Sequence, residues 1–383
     1  MTDTRIRVGL IGANPEKGWG SSVHVPVLQR LSGFELVAVA TTREESARQS
    51  ALKFGARHAF GDAQALASHP DVDLVAITVK APDHYRLAMM ALAEGKHVYC
   101  EWPLAATAAQ AEEMALEAER RNVRALVGLQ ARGSPTLLHA RQLIRDGYVG
   151  RVVSARLSCA LPGGGKRRSR EGLYVIDRSN GASVLAIHGG HAIDALRFCL
   201  GDFADLSAQV ANQFEEIEVI ETGERLPKDS PDQILVSGRL QSGAVASISI
   251  NGGVVAGHSI SFEVFGEEGT LSIGWPGGLN FQMSELTLSG ALLPDRMLAP
   301  INLPRPDNAV FPSDHQGLRP YPGVEVPRAT LVNVANLYSE LGSAIRDGRA
   351  PSPDFAVGVA LHHLLDRIAA ASDKGEKQWP ATT

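Results

Sequence analysis

The sequence predicts an α/β protein: an N-terminal Rossmann dinucleotide-binding domain followed by a C-terminal α+β domain with a large, mainly antiparallel open sheet. Three observations predict this fold class. Apolar strands alternate with helices up to residue 128, a glycine-rich turn follows the first strand, and strand segments joined by short turns dominate the remainder. Apolar strands that alternate with helices are typical of a parallel sheet covered on both faces. At about 150 residues per domain, the 383 residues accommodate two domains.

The first domain is predicted to span residues 1–128. Short apolar runs rich in Val, Ile and Ala predict buried strands, and longer segments with apolar residues three or four apart predict helices. The first strand opens the strand, loop and helix unit that is typical of nucleotide-binding sheets. The predicted strands are 6–11, 36–40, 74–79, 97–100 and 123–128, and the predicted helices are 23–31, 44–54, 85–94 and 107–121.

The second domain is predicted to span residues 129–383. After a helix at 134–146, strand-like segments predict an antiparallel sheet, and Gln241-Ser242-Gly243 lies where a hairpin would turn. A second turn is predicted at 266–269, and a helical pair is predicted within 329–373. The predicted strands are 151–160, 233–240, 244–251, 260–265 and 269–273, and glycine- and proline-rich loops are predicted at 161–166, 274–279 and 299–327.

The composition favours a protein that binds a small ligand. The formal net charge is -5, from 37 basic and 42 acidic residues, so neither nucleic acid nor a membrane surface is expected as a partner. The three cysteines are odd in number and widely spaced, which indicates neither a disulfide framework nor a zinc cluster. The start of the chain is polar and no run of about 20 apolar residues follows, so we expect a cytoplasmic protein.

The turn after the first strand is a loosened version of the Gly-x-Gly-x-x-Gly fingerprint. It reads Gly9-Leu10-Ile11-Gly12-Ala13-Asn14 and continues to Gly20. Glycine lets main-chain N–H groups and the positive end of the following helix approach a pyrophosphate. Asn14 stands where the middle glycine would be, and asparagine adopts a left-handed conformation more readily than most residues. The turn predicts a dinucleotide site with Gly12 and Asn14, the alternative being an ordinary strand-to-helix turn.

The tip of the second strand indicates which dinucleotide binds. The strand ends in Thr41-Thr42-Arg43, with no acidic residue there to pair with a ribose 2′-hydroxyl. An arginine and two hydroxyls suit a 2′-phosphate, so NADP is favoured over NAD. In the alternative interpretation Arg43 starts the next helix in solvent, and Glu44 or Glu45 serves the ribose.

Motifs along nearly the whole chain carry a resemblance to a known family. They are His24-x-Pro26, His84, Gly95-Lys96-His97-Val98, Gly128-Leu129-Gln130 and Gly189-Gly190-His191. On these residues the chain resembles the glucose-fructose oxidoreductase / inositol dehydrogenase (Gfo/Idh/MocA) family. The resemblance implies NAD(P)-dependent hydride transfer on a sugar, sugar acid or polyol-like substrate, and a homodimer or higher homo-oligomer. It also implies that His84 and Gln130 belong to the cofactor site.

The motif Glu101-Trp102-Pro103 departs from the Glu-Lys-Pro that is usual in this family. In the family the lysine takes part in proton transfer, whereas Trp102 cannot take a proton. Pro103 favours an extended Trp102 at the carboxyl end of a strand, where ligands of such sheets bind. Its ring either stacks on a sugar or on the nicotinamide, or packs beneath the cofactor. Glu101 either bonds a ribose hydroxyl or a loop amide, or caps a helix.

One branch of the family shares the tryptophan. The lengthened loop ending in Trp19-Gly20, the Glu101-Trp102-Pro103 motif and Leu129-Gln130 look most like the branch that contains the yeast galactose-regulon repressor. That relative keeps the dinucleotide site but works as a regulator through protein contacts. The resemblance places Trp19 in the cofactor loop and leaves two further functions open: a catalytically silent NAD(P)-binding regulator, or a redox-cycling enzyme that cleaves glycosides.

Candidates for proton transfer lie in both predicted domains. His191 matches the family's histidine, and an unperturbed histidine titrates near neutrality. Asp194, one helical turn away, either orients His191, faces the substrate or is a surface carboxylate. Four residues before His191 the family commonly has an aspartate; here that place is Ile187, and the neighbouring His188 is a substrate-side candidate. Lys80, after the strand at 74–79, either supplies the lost ammonium or is a solvated or salt-bridged lysine.

Two further segments are candidates for the substrate side. Tyr174 and Asp177 precede the histidines and either line the substrate or form strand packing and a turn. The basic run at 163–170 is either a solvated flexible surface or a loop that folds over the crevice and favours an acidic ligand such as a sugar acid or phosphate. His188 and His191 have no third ligand at metal spacing, so no metal site is predicted.

Overall fold

The computed structural model describes residues 5–277, 279–304, 311, 318–321 and 324–379. The chain forms two compact units. The first unit is Met1–Gly133 with Asp307–His362, and the second unit is Ser134–Pro306 with His363–Thr383. The domain limits 1–128 and 129–383 stay a prediction. In the part of the chain that the structure describes, no helix combines the length and the apolar character needed to cross a membrane.

Strands and α-helices are numbered separately in chain order. The strands are β1 (Ile6–Ile11), β2 (Phe34–Ala40), β3 (His58–Phe60), β4 (Leu74–Ile77), β5 (His97–Glu101), β6 (Ala125–Gly128), β7 (Val152–Ala160), β8 (Arg167–Arg168), β9 (Phe203–Ala211), β10 (Glu216–Val219), β11 (Arg225–Pro227), β12 (Gln233–Leu240), β13 (Val245–Asn251), β14 (Ser259–Gly266), β15 (Gly269–Pro276), β16 (Thr287–Leu292), β17 (Ala299–Pro300), β18 (Leu318–Tyr321) and β19 (Val324–Val326). The helices are α1 (Val25–Leu28), α2 (Glu44–Phe54), α3 (Ala63–Ala67), α4 (His84–Ala93), α5 (Ala108–Arg120), α6 (Pro135–Arg145), α7 (Gly190–Leu200), α8 (Arg328–Asp347) and α9 (Phe355–Lys374).

The first unit contains a six-stranded parallel sheet in the order β3-β2-β1-β4-β5-β6. This confirms the predicted Rossmann-type sheet. The direction of strand addition reverses between β1 and β4, and a ligand crevice lies at the carboxyl ends of the strands at such a switch point. Ile11 is in register with both Ala40 and Ile77, so the tips of β2, β1 and β4 share one edge.

Helix α8 packs on this sheet although about 200 residues separate it from β6 in the chain. Its residues Leu331, Val334, Tyr338 and Leu341 are three or four positions apart, which produces one apolar stripe. The stripe is buried in a single core with β1 residues such as Leu10. The first unit is therefore completed by a late segment of the chain.

Several short elements escaped prediction. Strand β3 has three residues that are only partly buried, so it carries no apolar run. Helix α3 has five residues and begins after Asp62, whose carboxylate accepts a hydrogen bond from Ala65 N at 3.0 Å. The predicted first helix, 23–31, has the wrong limits, because a π-helical turn at Gly20–His24 precedes α1. Strands β9 and β16 were also missed.

The second unit contains an eight-stranded sheet in the order β17-β16-β15-β14-β7-β13-β12-β9. Its described pairs are antiparallel except β7 with β13, which confirms a mainly antiparallel sheet. The predicted hairpin joins β12 to β13, and Gly243 in its turn has a φ of 90°. Residues 274–276, predicted as loop, continue β15. In the loop predicted at 299–327, residues 305–310, 312–317 and 322–323 lie outside the described residues.

Candidate functional site

The candidate nucleotide loop lies in the first unit, where β1 ends beside β4. Gly12 has a φ of 101° and Gly18 one of 109°, which are left-handed conformations that favour glycine. A Cβ on Gly20 would clash with Thr78 Oγ1 and would lie 3.0 Å from the carbonyl oxygen of Gly12. The loop therefore closes on the end of β4 and leaves no room for a side chain at Gly20.

Asn14 organises this loop through its side chain. Its Oδ1 accepts hydrogen bonds from Glu16 N at 2.9 Å and from Lys17 N at 3.3 Å, which is an Asx turn. The left-handed backbone expected for Asn14 is wrong, because among the described non-glycine residues only Asn122 has a positive φ. Glycines take the left-handed positions of the loop, and Asn14 supplies an acceptor for its main-chain N–H groups.

The Trp19 indole ends the loop and packs, partly buried, on the apolar core of the first unit. Its Nε1 is buried and has no hydrogen-bond partner among the described residues. A buried N–H without an acceptor destabilises the protein unless a bound group provides one. Trp19 therefore offers a donor that an oxygen of a bound molecule can satisfy.

Gly20→Ala is expected to lower the free energy of unfolding by about 1–3 kcal/mol and to weaken NADP binding, because the methyl group forces the loop away from Thr78. Urea unfolding and fluorescence titration with NADP measure the two effects. Gly33→Ala is the matched control, since the atom nearest to its Cβ would be Arg346 Nη1 at 3.7 Å, an ordinary contact. Equal losses in both variants would contradict the role given to the loop.

The tip of β2 exposes Thr42 and Arg43 to solvent. Thr41 is engaged locally, because its hydroxyl donates to the carbonyl oxygen of Arg43 at 2.9 Å. The Glu44 carboxylate accepts a hydrogen bond from Gly61 N at 3.0 Å. Within the described residues the Arg43 guanidinium pairs with no carboxylate. Arg43 is therefore the exposed charge at this tip, and Thr41 shapes the turn behind it.

Lys80 and His84 follow β4 at the same edge of the sheet. Lys80 is exposed and precedes a short 3₁₀ helix, Ala81–Asp83. His84 is buried, with Nδ1 2.7 Å from the carbonyl oxygen of Pro103 and Nε2 3.0 Å from that of Val79. Burial lowers the pKa of His84. Lys80 lies at the surface of this edge, whereas His84 supports the Glu-Trp-Pro motif from within.

Glu101, at the end of β5, is a buried carboxylate with both oxygens engaged. His24 Nε2–H donates to Oε1 at 2.9 Å, and the Gln130 amide donates to Oε2. His24 Nδ1 forms a hydrogen bond with the Tyr338 hydroxyl, 2.8 Å away. Gln130 Oε1 is buried without a hydrogen-bond partner in the described part of the chain. The partners of Glu101 are therefore His24 and Gln130, neither a loop amide nor a helix start.

Trp102 is buried, with 5% of its surface exposed. Its ring centroid lies 4.7 Å from that of His362, with the ring planes tilted by 41°. His362 is itself anchored, because its Nε2 accepts a hydrogen bond from Ala105 N at 3.4 Å. Of the two interpretations offered for Trp102, this geometry favours a packing residue over an exposed stacking surface.

The second unit brings His188 and His191 together. His188 lies in a π-helical turn, Val184–Gly189, and His191 in the first turn of α7. His191 is 4% exposed, and Nδ1 of both rings has no hydrogen-bond partner among the described residues. Burial and the neighbouring His188 lower the pKa of His191 to about 3, and burial and Arg168 lower that of His188 to about 4. Both rings are therefore neutral at neutral pH.

Asp194 is fully buried in α7, so the surface carboxylate expected as an alternative is wrong. Its Oδ1 lies 3.9 Å from Nη1 of Arg197, one helical turn further along. Asp194 therefore contributes to an internal ion pair, and its orienting of His191 stays a prediction.

Tyr174 lies in a 3₁₀ helix, Arg170–Val175, and Asp177 precedes a second one, Arg178–Asn180, so neither lies in the strand that was one of the alternatives. Asp177 is exposed and accepts hydrogen bonds from Ser179 N at 2.8 Å and Ser179 Oγ at 2.6 Å, which lower its pKa. Tyr174 is partly buried, and its carbonyl oxygen accepts from Asn180 Nδ2 at 2.9 Å. The structure thus shows Asp177 as a turn residue. That Tyr174 lines the substrate side stays a prediction.

The basic run at 163–170 belongs to a small sheet. Arg167–Arg168 is strand β8, which pairs in parallel with β10, and Arg167 forms an ion pair with Glu218 at 3.3 Å. Arg168 is partly buried, its Nε has no hydrogen-bond partner among the described residues, and burial lowers its pKa. A Cβ on Gly163 would lie 2.9 Å from Nε2 of His188. Lys166, Arg167 and Arg170 are exposed, as the solvated-surface interpretation expects, and a loop that folds over the crevice stays a prediction.

A parallel sheet with a glycine loop at its switch point, followed by a second unit with a buried pair of histidines, defines a nucleotide-binding protein of the oxidoreductase type. Residues 6–129 match the model of an oxidoreductase family with an NAD-binding Rossmann fold, GFO_IDH_MocA, and residues 135–274 match that of the Gal80p C-terminal domain. The chain belongs to this oxidoreductase family, and the resemblance stated from the motifs is confirmed.

Relatives of both kinds, enzymes and regulators, are similar to the chain. Dehydrogenase aclE of Aspergillus oryzae is 33% identical over 62% of this chain and 67% of its own. The galactose/lactose metabolism regulatory protein GAL80 of Saccharomyces cerevisiae is 32% identical over 65% of this chain and 61% of its own. Levoglucosan dehydrogenase of Pseudarthrobacter phenanthrenivorans is 24% identical over 88% and 87%. The match with GAL80 thus spans less than two thirds of that relative.

A solved structure covers the whole chain. The NAD binding oxidoreductase from Klebsiella pneumoniae superposes with a TM-score of 0.83 and 26% identity, over 99% of this chain and 100% of its own.

Proposed function

We propose that the protein is an NADP(H)-dependent dehydrogenase that acts on a hydroxyl group of a sugar, sugar acid or polyol-like substrate. The observation that carries the proposal is His191, a buried imidazole whose Nδ1 is unpaired among the described residues, in a chain that belongs to an oxidoreductase family. The similarity to levoglucosan dehydrogenase over most of both chains supports a carbohydrate-like substrate.

The residues of the first unit fit a bound dinucleotide. Gly12 and Gly18 take the left-handed backbone positions of the loop, and Trp19 offers a buried N–H with no acceptor in the described part of the chain. We assign the N–H groups of the loop around Gly12 and Asn14 to the pyrophosphate. When bound, the nicotinamide would accept or supply the hydride.

Arg43 supports NADP over NAD as the bound dinucleotide. Its guanidinium is exposed at the tip of β2, and guanidinium groups pair with phosphate through charge-assisted hydrogen bonds. Two carboxylates would serve a free ribose in the alternative interpretation: Glu44 accepts a hydrogen bond from Gly61 N, and Glu45 accepts one from Gln49 Nε2 at 2.8 Å. We therefore assign Arg43, with the Thr42 hydroxyl, to the 2′-phosphate.

Arg43→Gln is expected to weaken NADP binding by about 10- to 100-fold and to leave NAD binding within about twofold, because only NADP carries the phosphate that loses its charged partner. Isothermal titration with each dinucleotide measures both constants. Arg48→Gln is the matched control, since Arg48 is an exposed arginine on the same helix that is already paired with Glu44 at 3.3 Å. An equal loss for NADP and NAD would contradict the assignment.

His191 is the group to which we assign proton transfer in the second unit. A neutral imidazole can accept the proton of a substrate hydroxyl as the carbonyl forms and return it in the reverse direction. Burial and His188 lower the pKa of His191 to about 3, so the ring is neutral before the reaction. Lys80 remains the second candidate. Trp102 cannot exchange a proton, and the carboxylate of Asp194 lies beside Arg197.

Turnover with a substrate panel tests the proposal. Purified protein is incubated with NADP or NAD and with sugars, sugar acids and polyols, and the absorbance of reduced dinucleotide is followed. Reduction with at least one class of substrate is the expected result. Tight NADP binding without turnover on any of the three classes would overturn the dehydrogenase.

A second candidate function, a regulator whose dinucleotide state controls a protein partner, rests on a specific observation. Trp102 replaces the family's lysine and is packed against His362, so this position contributes no proton-transfer group. GAL80 of Saccharomyces cerevisiae, 32% identical, and the Gal80p C-terminal match at 135–274 support it. NADP binding without turnover is the result that this second function requires.

We further propose a cytoplasmic homodimer or higher homo-oligomer that binds no nucleic acid. Cys100, Cys159 and Cys199 are buried free thiols, which suits a reducing compartment. The net charge of -5 supplies no basic surface for nucleic acid. The oligomeric state is supported by the family resemblance, and analytical ultracentrifugation decides it.

A further inference from the structure

A separate cluster of ligand-type side chains lies in the first unit, at the edge of the sheet opposite to the nucleotide loop. His58 is the first residue of β3, and His69 and Asp71 lie in the segment that leads into β4. Both places are at the amino ends of strands, whereas the nucleotide loop follows the carboxyl end of β1. The function proposed above uses none of these three side chains.

The three side chains converge. One ligand atom from each lies within 4.8 Å of those of the other two. His58 Nε2–H donates to Asp71 Oδ2 at 3.0 Å, and His69 Nδ1 accepts from the Asp71 main-chain N–H at 3.2 Å. The two imidazole rings lie 4.2 Å apart, centroid to centroid. Around a tetrahedral zinc ion with bonds of about 2.0–2.1 Å, ligand atoms are about 3.4 Å apart, so small rotations of these partly buried side chains reach that geometry.

The backbone that carries His69 and Asp71 is held in place before any ion binds. Lys96 Nζ donates to the carbonyl oxygen of His69 at 3.1 Å. Arg7 donates to Asp71 Oδ1 at 3.1 Å and to both oxygens of Asp73, at 3.0 and 2.7 Å. Hydrogen bonds to a ligating carboxylate are typical of the outer shell of metal sites. The positive charge of Arg7 also offsets the repulsion between the negative carboxylates of Asp71 and Asp73.

We propose that His58, His69 and Asp71 form a zinc site, with a water molecule as the fourth ligand. Two imidazoles and one carboxylate suit zinc, whereas calcium and magnesium prefer oxygen ligands throughout. The ion would displace the proton that His58 shares with Asp71. It would join the edge strand β3 to the segment before β4, so its role is to stabilise the sheet and not to take part in hydride transfer.

Isothermal titration of metal-stripped, full-length protein with zinc chloride tests this site. One ion per chain and a rise in melting temperature are expected for the wild type. His139→Asn, which changes a partly buried histidine of the second unit, is the control and should respond like the wild type. His69→Asn and Asp71→Asn should lose both the binding and the rise. Cobalt chloride in place of zinc should produce the visible absorption of a tetrahedral ion in the wild type and not in these variants.

An equal zinc response in His69→Asn, or no binding of zinc to the wild type, would reduce the cluster to a histidine and aspartate ion pair and overturn the proposal. Circular dichroism shows whether each metal-stripped variant is folded. If a variant is unfolded, the variant His58→Gln is tested in its place. NADP titration of the same variants separates this site from the nucleotide site, because their affinity for NADP should equal that of the wild type.

Discussion

Replacing His191 with asparagine is expected to lower kcat by about 10²- to 10⁴-fold, the range that general acid–base catalysis contributes, while NADP affinity stays unchanged. The ring is buried and its Nδ1 has no partner among the described residues, so its proton exchange is not committed to another side chain. Asparagine keeps polarity at the position but cannot accept a proton. The residues to which we assign dinucleotide binding lie in the first unit and are untouched.

Steady-state kinetics and NADP titration on the same preparations measure the two quantities. Lys80→Ala is the companion variant. Lys80 is the other candidate for proton transfer, because Trp102 stands where the family motif has its lysine. A large loss in His191→Asn with a small one in Lys80→Ala assigns proton transfer to the histidine. The reverse pattern assigns it to Lys80. A loss in His188→Asn as large as that in His191→Asn would show that the two rings act as one unit.

Much of the fold could be predicted from the sequence because a parallel sheet covered on both faces demands apolar runs. Strands β1, β4 and β5 are such runs, and their burial needs no knowledge of partners. Strand β3 sits at the sheet edge, is half-buried and contains His58, so no apolar pattern marks it. The same lack of pattern hid the convergence of His58 with His69 and Asp71.

The candidate site was predictable as a set of positions and not as a set of contacts. The ends of the first two strands located Gly12 and Arg43, and the family resemblance located His191. The partner of His24 is Tyr338, 314 residues away, and only the packing of α8 brings it there. The one sequence signal was a tyrosine within the apolar stripe of that helix. Arg168 was treated as part of a charge run, because burial beside His188 has no mark in the sequence.

The unfolding free energy is expected to fall with acid more steeply in the wild type than in His191→Asn, by about 2 kcal/mol between about pH 7 and about pH 5. The pKa of His191 is about 3 in the folded chain, against 6.5 for an unperturbed ring. The His191 side chain is therefore protonated below about pH 6.5 in the unfolded chain, but only below about pH 3 in the folded chain. Stability is complete above this window and is lost as pH falls through it, at about 1.4 kcal/mol per pH unit.

Urea unfolding at the two pH values, extrapolated to water, measures this difference. His139→Asn removes a histidine elsewhere in the second unit and should keep the wild-type dependence. The pKa of His188 is lowered to about 4, so the double variant His188→Asn/His191→Asn should be flatter still. If the wild type were no steeper than His191→Asn, the ring would carry its proton in the folded protein. His191 would then begin the reaction as an imidazolium acid, and reduction of a carbonyl, not oxidation of a hydroxyl, would be the direction that this site favours.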